Sequence, residues 1–419
     1  MVNPEHVKIL KQGAEAWNKW FRRKLASGLP DLSEADLSDT DLSGCDLRGV
    51  SLKKAILIRA NLSHADLRGA NLSESFLFRA NLQEAEATGA SLNAADISEA
   101  NLEGVNLSNS YLIGAILTRS NLKLAKLVEA DLKGADLRGA GLQGSDLTSA
   151  NLAGADLSSA DLSEANLSGA DLERTNLSKA SLRGTKFSSV HLYSTIFGSN
   201  DLSQVIDLEK SDHYGPSILN IETIYNSRGK IPEGFLRGCG LSDLQIETAK
   251  LAIPGLDQAQ VTDITDKIHQ LYLDGIQSYS CFISYNSKDE EFAKRLHADL
   301  QNNGVRCWLS PENMKIGDKF RTHMDDAIRA HDKLLIVFSQ SSIYSASVEN
   351  EVKTIFEKER KEGLSILFPI CLDDELMNAE QPWADEIRRT RHIGDFSDSD
   401  NYQKAFDGLL GDLKISNPG

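Results

Sequence analysis

A strict five-residue repeat fills the first half of the chain and limits the folds that this segment can adopt. From about residue 31 to residue 202, each unit reads Ala, then Asp or Asn, then Leu, then two mostly polar or small residues. Leu, Ile or Phe occupies the third place of 35 successive units except at Ala87, and the phase never breaks. A period of five matches neither the α-helix at 3.6 residues nor the flat strand at 2.0. It therefore predicts a coil of square cross-section with one pentapeptide on each side.

The residue types of the repeat fit such a coil, because Leu and the Ala two places earlier can both point inward. Asp and Asn tolerate turn geometry and bond nearby backbone, which suits the corners. Coils stacked at about 4.8 Å would give a rod of roughly nine coils and ~40 Å. The stretch 151–157, which reads Asn-Leu-Ala-Gly-Ala-Asp-Leu, resembles the pentapeptide-repeat family. That resemblance implies a right-handed quadrilateral β-helix over residues 30–203.

Segments without the repeat flank the rod, and a solenoid needs caps on its terminal coils. Residues 1–29 are predicted to form an N-terminal amphipathic capping helix over Pro4 to Lys24, and a partner-binding helix is the alternative. The side chains that gather on one side of it are Val7, Leu10, Trp17, Trp20 and Phe21. Residues 204–277 are predicted to be a compact connector and C-terminal cap, since they are apolar and poor in Ser/Gly runs.

Residues 278–419 alternate apolar runs with amphipathic helical stretches, which predicts a separate α/β domain. The order β-α-β-α-β-α-β implies a parallel sheet with helices on both faces. Ligands of such sheets bind beyond the carboxyl ends of the strands. The predicted strands are 281–285, 305–309, 334–338 and 364–370, and the predicted helices are 289–302, one around Met324 and Ile328, and 349–361.

Several motifs of this domain resemble a bacterial TIR (Toll/interleukin-1 receptor) domain. They are Phe282-Ile283-Ser284-Tyr285, Asp289, Trp308, Pro311-Glu312, Ile316-Gly317-Asp318, Ser339, Glu351, Pro369-Ile370, Trp383 and His392-Ile393-Gly394-Asp395-Phe396. The resemblance covers about 135 residues and implies a flavodoxin-like parallel sheet. It also implies that the loop Ser310–Phe320 mediates contact between TIR domains and borders the ligand site.

The resemblance further implies one catalytic glutamate that follows a serine-rich loop. In this sequence the loop is 339–347 and the glutamate is Glu351, framed by Val348 and Val352. Ser347 stands four positions before the glutamate, where the family often has an aromatic residue, and this departure favours altered nucleotide packing or a lost activity. The residues implied to bind the substrate are Ser284, Tyr285, Trp308, Glu312 and Ser339.

Each of these residues also has an ordinary structural interpretation. A glutamate on a surface helix is usually a solvated charge, and Glu349 offers a second carboxylate that faces elsewhere on the helix from Glu351. Tyr285 and Trp308 also fit core or rim aromatics. The two serines at strand ends also fit turn formers.

The implied substrate is NAD⁺, and no separate cofactor or metal is expected. Nicotinamide is already a cationic leaving group, so general-acid help is less needed. Cleavage of its glycosidic bond builds positive charge on the ribose, as in other oxocarbenium-like glycoside cleavages. A fixed carboxylate beside that ribose would stabilise the charge where it develops. Water or an internal adenine can then trap the ribosyl group, so hydrolysis and cyclisation both stay open.

The chain is therefore predicted to be a TIR NAD⁺ glycohydrolase or cyclase that self-association activates, as a homo-oligomer or filament. The rod would be a scaffold or sensor whose own partner stays open, and the resemblance implies a role in bacterial antiphage or abortive defence. A non-enzymatic TIR adaptor that assembles with other proteins is the alternative. A DNA mimic that binds topoisomerase is the third possibility.

Composition narrows the partners and the compartment. The formal net charge of -16 opposes direct binding to nucleic acid or to an anionic membrane. Lys and Arg are scattered through the rod, which counts against a uniformly anionic DNA mimic. No apolar run approaches the roughly 20 residues of a membrane helix. Five scattered cysteines without metal-ligand spacing favour a reducing cytoplasm.

Overall fold

The chain forms two compact units in the computed structural model, which describes residues 4–24, 28–273, 280–311, 332–398 and 401–415. The first unit comprises Met1–Asp212, Pro216–Phe235 and Ala252–Leu256, and the second comprises His213–Gly215, Leu236–Leu251 and Asp257–Gly419. The segment predicted as a single connector, 204–277, is therefore divided between the two units. None of the described helices combines the length and the apolar character needed to cross a membrane.

Residues 31–206 form a β-helix with four pentapeptides in each coil. Parallel β-bridges join residues twenty apart, from Asp31↔Ser51 to Lys186↔Ile206. The bulky residue of each unit is buried throughout, and Leu122 exposes 1% of its surface. The residue two places later has a positive φ, for example 57° at Leu124 and 67° at Gly104, which is why glycine recurs there. The quadrilateral β-helix predicted from the five-residue period is confirmed.

One face of the rod carries a continuous ladder of side-chain amides. Each asparagine donates from Nδ2 to the Oδ1 atom one coil earlier, at 2.9 to 3.0 Å. The ladder consists of Asp41, Asn61, Asn81, Asn101 and Asn121. Hydrogen bonds from Ser43 and then Asn61 lower the pKa of the Asp41 carboxyl group. The acceptor at the end of the ladder is therefore ionised at neutral pH.

Two helices precede the rod, so the prediction of one helix over Pro4 to Lys24 was wrong. Helix α1 spans Pro4–Leu10 and α2 spans Ala14–Lys24. Gly13 between them has a φ of 97°, which a right-handed helix does not accommodate. The prediction followed the apolar side chains, which continue through both helices and include the buried Leu10, Trp17 and Phe21.

Side chains of α2 bond to backbone groups of the first coil, and at Asp46 they replace the bonds that a preceding coil makes further along the rod. Inside the rod, backbone groups of each coil bond to those of the coil before it. In the first coil, the N–H of Asp46 donates instead to Asn18 Oδ1 at 2.7 Å. Asn18 Nδ2 donates to the carbonyl of Gly44 at 3.0 Å, and Trp17 Nε1 donates to the carbonyl of Asp46 at 2.7 Å.

Replacing Asn18 with Ala is expected to loosen the first coil, because two backbone groups lose the partners that Asn18 provides. Loss of about 1 to 2 kcal/mol corresponds to roughly 5- to 30-fold faster exchange of amide hydrogens. Hydrogen–deuterium exchange of residues 31–50, read by mass spectrometry, measures this change. The matched control is Lys19→Ala, since Lys19 is exposed on the same helix. Equal rates of amide hydrogen exchange in both variants would show that Asn18 does not cap the first coil.

The end of the rod and the segment after it contain short elements. The strands are β1 (His191–Leu192), β2 (Ile196–Phe197), β3 (Asp212–His213) and β4 (Ile218–Leu219). The helices are α3 (Ile221–Asn226), α4 (Glu233–Gly238), α5 (Asp243–Ala249) and α6 (Gln258–Leu273). Strand β4 pairs in parallel with β2. Thr223 Oγ1 of α3 donates to the carbonyl of Phe197 at 3.0 Å, so α3 covers part of the last coil.

The second unit is built on five parallel strands with helices on both faces. The strands are β5 (Ser280–Tyr285), β6 (Arg306–Pro311), β7 (Lys333–Phe338), β8 (Leu367–Cys371) and β9 (Gly394–Asp395), in the order β6-β5-β7-β8-β9. The helices are α7 (Glu290–Asn302), α8 (Ala346–Glu362), α9 (Glu375–Asn378), α10 (Pro382–Thr390) and α11 (Tyr402–Ile415). Helices α8 and α10 pack on one face of the sheet, and α7 and α11 on the other.

This arrangement confirms the predicted flavodoxin-like parallel sheet. The two-residue strand β9 was not predicted, because Gly394 and Asp395 were considered only as part of the TIR motif at residues 392–396. Three predictions concern residues outside those that the structure describes. They are Glu312, the helix around Met324 and Ile328, and most of the loop 310–320.

Candidate active site

The carboxyl ends of β5, β7 and β8 meet at one edge of the sheet, as parallel strands require. Strand β5 ends with Ser284 and Tyr285, and β7 leads directly into the serine-rich loop that begins at Ser339. Helix α8 follows this loop and carries Glu351 in its second turn. The sequence therefore brings a loop of hydroxyl groups and one carboxylate to the edge where ligands of such sheets bind.

Glu351 is buried, with 3% of its surface exposed, and is not a solvated surface charge. Ser284 Oγ donates a hydrogen bond to Glu351 Oε2 at 2.8 Å. Val348 and Val352 lie in the core between α8 and the sheet, so their helical spacing turns Glu351 inward as well. A buried carboxylate needs such a hydrogen-bonding partner, because its desolvation is otherwise unfavourable.

Glu349 occupies a different environment although it lies only two residues away. Its carboxylate pairs with the Lys353 ammonium at 2.5 Å, and its side chain is 44% exposed. Glu349 and Glu351 are therefore in distinct environments, since the Glu351 carboxylate is held against the sheet and that of Glu349 is partly exposed to solvent.

The serine-rich loop is fixed by its own hydroxyl groups. The N–H of Ser339 donates to Ser342 Oγ at 2.9 Å, and the N–H of Ser341 donates to Ser339 Oγ at 3.2 Å. Ser342 Oγ in turn donates to the carbonyl of Val337 at 3.0 Å. Ser339 was predicted to bind substrate, but its hydroxyl oxygen accepts a hydrogen bond from the loop backbone. This agrees with the alternative interpretation of Ser339 as a turn former.

Polar residues after β5 and β8, the strands on either side of β7, anchor the loop on both sides. Ser339 Oγ donates to Asp289 Oδ2 at 2.6 Å, and Asn286 Nδ2 donates to the carbonyl of Ser341 at 3.2 Å. On the other side, the N–H of Gln340 donates to Asp373 Oδ2 at 2.7 Å. Sequence reasoning assigned no site role to Asn286, Asp289 or Asp373. The available signal was their position directly after the ends of β5 and β8.

Tyr344 places an exposed aromatic ring on the same loop, with 69% of its surface accessible. Its hydroxyl group donates to Glu375 Oε2 at 3.4 Å. The charge of that carboxylate raises the pKa of the Tyr344 phenol, which therefore stays protonated at neutral pH.

Two predicted substrate contacts lie in the core. Tyr285 is 3% exposed and packs on the face covered by α7 and α11, whereas Ser284 reaches Glu351 on the other face. Successive side chains of a strand point to opposite faces, so only one of these neighbours can reach Glu351. Trp308 is 2% exposed, and its Nε1 donates to the carbonyl of Gly238 at 2.9 Å. These placements do not support the predicted substrate contacts of Tyr285 and Trp308, and the interpretation as core aromatics accounts for both.

Among the residues that the structure describes, no three His, Cys, Asp or Glu side chains gather closely enough to hold a metal ion. The groups that the structure does place at this edge of the sheet include the buried Glu351 carboxylate, the hydroxyl groups and backbone of the loop, and the Asp289 and Asp373 carboxylates that anchor the loop.

The fold defines a class of protein in which a pentapeptide β-helix precedes a parallel α/β domain. The sequence profile of the TIR domain matches residues 281–410, and that of the pentapeptide repeats matches in eight copies between residues 35 and 193. The chain is a pentapeptide-repeat protein with a C-terminal TIR domain.

Two curated relatives match the TIR region. The 2' cyclic ADP-D-ribose synthase BtTIR of Bacteroides thetaiotaomicron is 25% identical over 126 residues, which are 29% of this chain and 44% of that protein. The probable 2' cyclic ADP-D-ribose synthase TcpO of Methanobrevibacter olleyae is 26% identical over 101 residues, which are 23% of this chain and 30% of that protein. The chain thus spans less than half the length of each of these relatives.

Among solved structures, the chain is similar to HetL, a pentapeptide repeat protein of the cyanobacterium Nostoc sp. strain PCC 7120. The two are 32% identical, the match covers 47% of this chain and 94% of HetL, and the TM-score is 0.44.

Proposed function

We propose that the TIR domain cleaves the bond between nicotinamide and ribose in NAD⁺, with Glu351 as the catalytic residue. The observation that carries this proposal is the buried Glu351 carboxylate, held by Ser284 at the carboxyl edge of the sheet. The two relatives support it, because they are named as synthases of a cyclic ADP-ribose. Such a product retains the ADP-ribosyl part of NAD⁺ without its nicotinamide.

The chemistry asks little of the protein beyond one negative charge. When the C–N bond breaks, its electron pair goes to the nicotinamide ring, which leaves as a neutral molecule. Positive charge then develops on the ribose, and an adjacent carboxylate stabilises it most strongly in the transition state. A largely desolvated carboxylate interacts with that charge more strongly than a solvated one would.

The ribosyl cation is then trapped by an oxygen nucleophile. Attack by water gives ADP-ribose and a proton, whereas attack by the 2′-hydroxyl of the adenosine ribose gives the cyclic product and a proton. The names of the relatives favour the second route, and we propose that this chain follows it at least in part.

We also propose that the TIR domain acts in a self-associated form, as a homo-oligomer or filament for which the rod is scaffold or sensor. Activity per molecule is then expected to rise with protein concentration, since assembly is a mass-action process.

Incubating the full chain with NAD⁺ and resolving the products by mass tests this function. Nicotinamide is expected together with an ADP-ribosyl product, and the cyclic form is lighter than ADP-ribose by one water. Specific activity is expected to increase at least several-fold between dilute and crowded protein solutions. If no nicotinamide is released at high protein concentration, the enzymatic function is excluded and the TIR adaptor is favoured. Ser347, which stands in place of an aromatic residue, is the sequence feature that supports the adaptor.

A further inference from the structure

We propose that Ser284 is a positioning residue that orients the Glu351 carboxylate, and does not itself bind NAD⁺. This inference rests on the proposed function and assigns a second residue of the same site. It also changes the role that the family resemblance implied for Ser284, which was substrate binding.

The Ser284 hydroxyl is a rigid donor. Ser284 lies in β5, the strand between β6 and β7, and its backbone is paired on both sides, with Ser310 and with Ile336. A single torsion separates this fixed backbone from the hydroxyl group, whereas the glutamate carboxylate is separated from its backbone by three. Fixing one oxygen of the flexible group to a rigid donor therefore sets the direction in which the carboxylate points.

The apolar surroundings of Glu351 make a hydrogen-bond donor to its carboxylate necessary. Val348, Val352 and Ile355 of α8 are buried around it in an apolar core. A carboxylate in such an environment turns towards solvent or takes up a proton unless donors hold its ionised form. The O–H of Ser284 donates to Glu351 Oε2 at 2.8 Å and so favours the inward orientation of the side chain.

The hydrogen bond itself also argues against the two other roles that Ser284 could have. The hydroxyl proton of Ser284 is engaged with Glu351 Oε2. A residue that binds substrate directly, or one that attacks the ribose as a nucleophile, must present its oxygen to the ligand. The described geometry presents that oxygen to the carboxylate.

Ser280 provides a matched control on the same strand. Its hydroxyl group is also buried and also donates to a carboxylate, Asp332 Oδ2 at 3.0 Å. Ser280 lies at the opposite end of β5 from the candidate site. Ser280→Ala and Ser284→Ala therefore remove the same kind of hydrogen bond, but only the second removes it from Glu351.

The experiment measures kcat, KM for NAD⁺ and the pH dependence of the rate in full-length variants. Ser284→Ala is expected to lower kcat about 10- to 100-fold with KM changed less than about threefold, a smaller loss than that of a donor which contacts the transition state directly. The acidic limb of its pH–rate profile is expected to move to higher pH, because the ionised carboxylate loses a donor. Ser284→Thr, which keeps the hydroxyl group, is expected to restore most of the rate, and Ser280→Ala is expected to change it less than about twofold.

Three outcomes would overturn the positioning role. A rise in KM with unchanged kcat would make Ser284 a substrate contact, loss of all activity in both Ser284 variants would indicate a nucleophile, and wild-type kinetics in Ser284→Ala would show no role. Failure of the proposed function is a separate result, since it would leave the unaltered chain without activity. In that case the ¹³C signal of the Glu351 carboxylate still tests the contact, because its titration is expected to move to higher pH in Ser284→Ala only.

Discussion

The Glu351→Gln variant is expected to release nicotinamide from NAD⁺ about 100- to 1,000-fold more slowly than the unaltered chain, as is typical when one electrostatic stabiliser of a transition state is removed. Glutamine has nearly the same size as glutamate and keeps an oxygen that can accept the hydrogen bond of Ser284 Oγ. The fold is therefore expected to persist while the negative charge beside the ribose is lost. Nicotinamide release at saturating NAD⁺, measured by liquid chromatography, gives the rate.

The matched control is Glu349→Gln, which removes a carboxylate from the same helix. Glu349 is 44% exposed and pairs with Lys353, so its loss costs only a few tenths of a kcal/mol. Its rate is expected to remain within about twofold of the unaltered chain. Equal rates in the two variants, with thermal unfolding unchanged in both, would show that the carboxylate of Glu351 takes no part in the reaction.

The Leu122→Ala variant is expected to destabilise the rod by about 3 kcal/mol, because it leaves a cavity in a fully packed interior. Leu122 exposes 1% of its surface. Neighbouring coils stabilise one another in a solenoid, so the loss is expected to spread from this coil to those that contact it. Amide hydrogens around Leu102 and Leu142, one coil to either side, are expected to exchange about 100-fold faster.

Leu124 offers the control, since it lies two residues away and exposes 56% of its surface. Leu124→Ala is expected to change stability by less than about 0.5 kcal/mol. Hydrogen–deuterium exchange with peptide-level resolution distinguishes the variants and separates the rod from the other unit. A similar effect of both substitutions would mean that burial of the third residue of each pentapeptide does not hold the coils together.

Much of this architecture follows from sequence periodicity. A five-residue period kept over 35 units fits neither an α-helix nor a flat strand. The coil and the burial of Leu122 could therefore be predicted from the residues alone. The alternation of buried strands and amphipathic helices predicted the parallel sheet in the same way. Glu351 was identified through a family resemblance, and its inward orientation was not predicted, although its helical spacing from Val348 would have allowed it.

The errors arose where tertiary contacts decide the outcome. Nothing near Trp308 in the sequence indicates that its indole N–H bonds to Gly238, which lies 70 residues away. The break at Gly13 was hidden by apolar side chains that continue on both sides of it. The opposite directions of Ser284 and Tyr285, by contrast, follow from the alternation of side chains along a strand, so the sequence alone was sufficient to predict them.

The amide ladder restricts how the length of this rod can change. Its members recur every twenty residues, and each amide donates towards the coil before it. Inserting or deleting a single pentapeptide would rotate every later side by a quarter turn and carry the remaining asparagines to another face. Gain or loss of a complete coil would return each amide to its own column. Duplication of whole coils is thus the route by which such a rod can grow while its hydrogen-bonded face stays continuous.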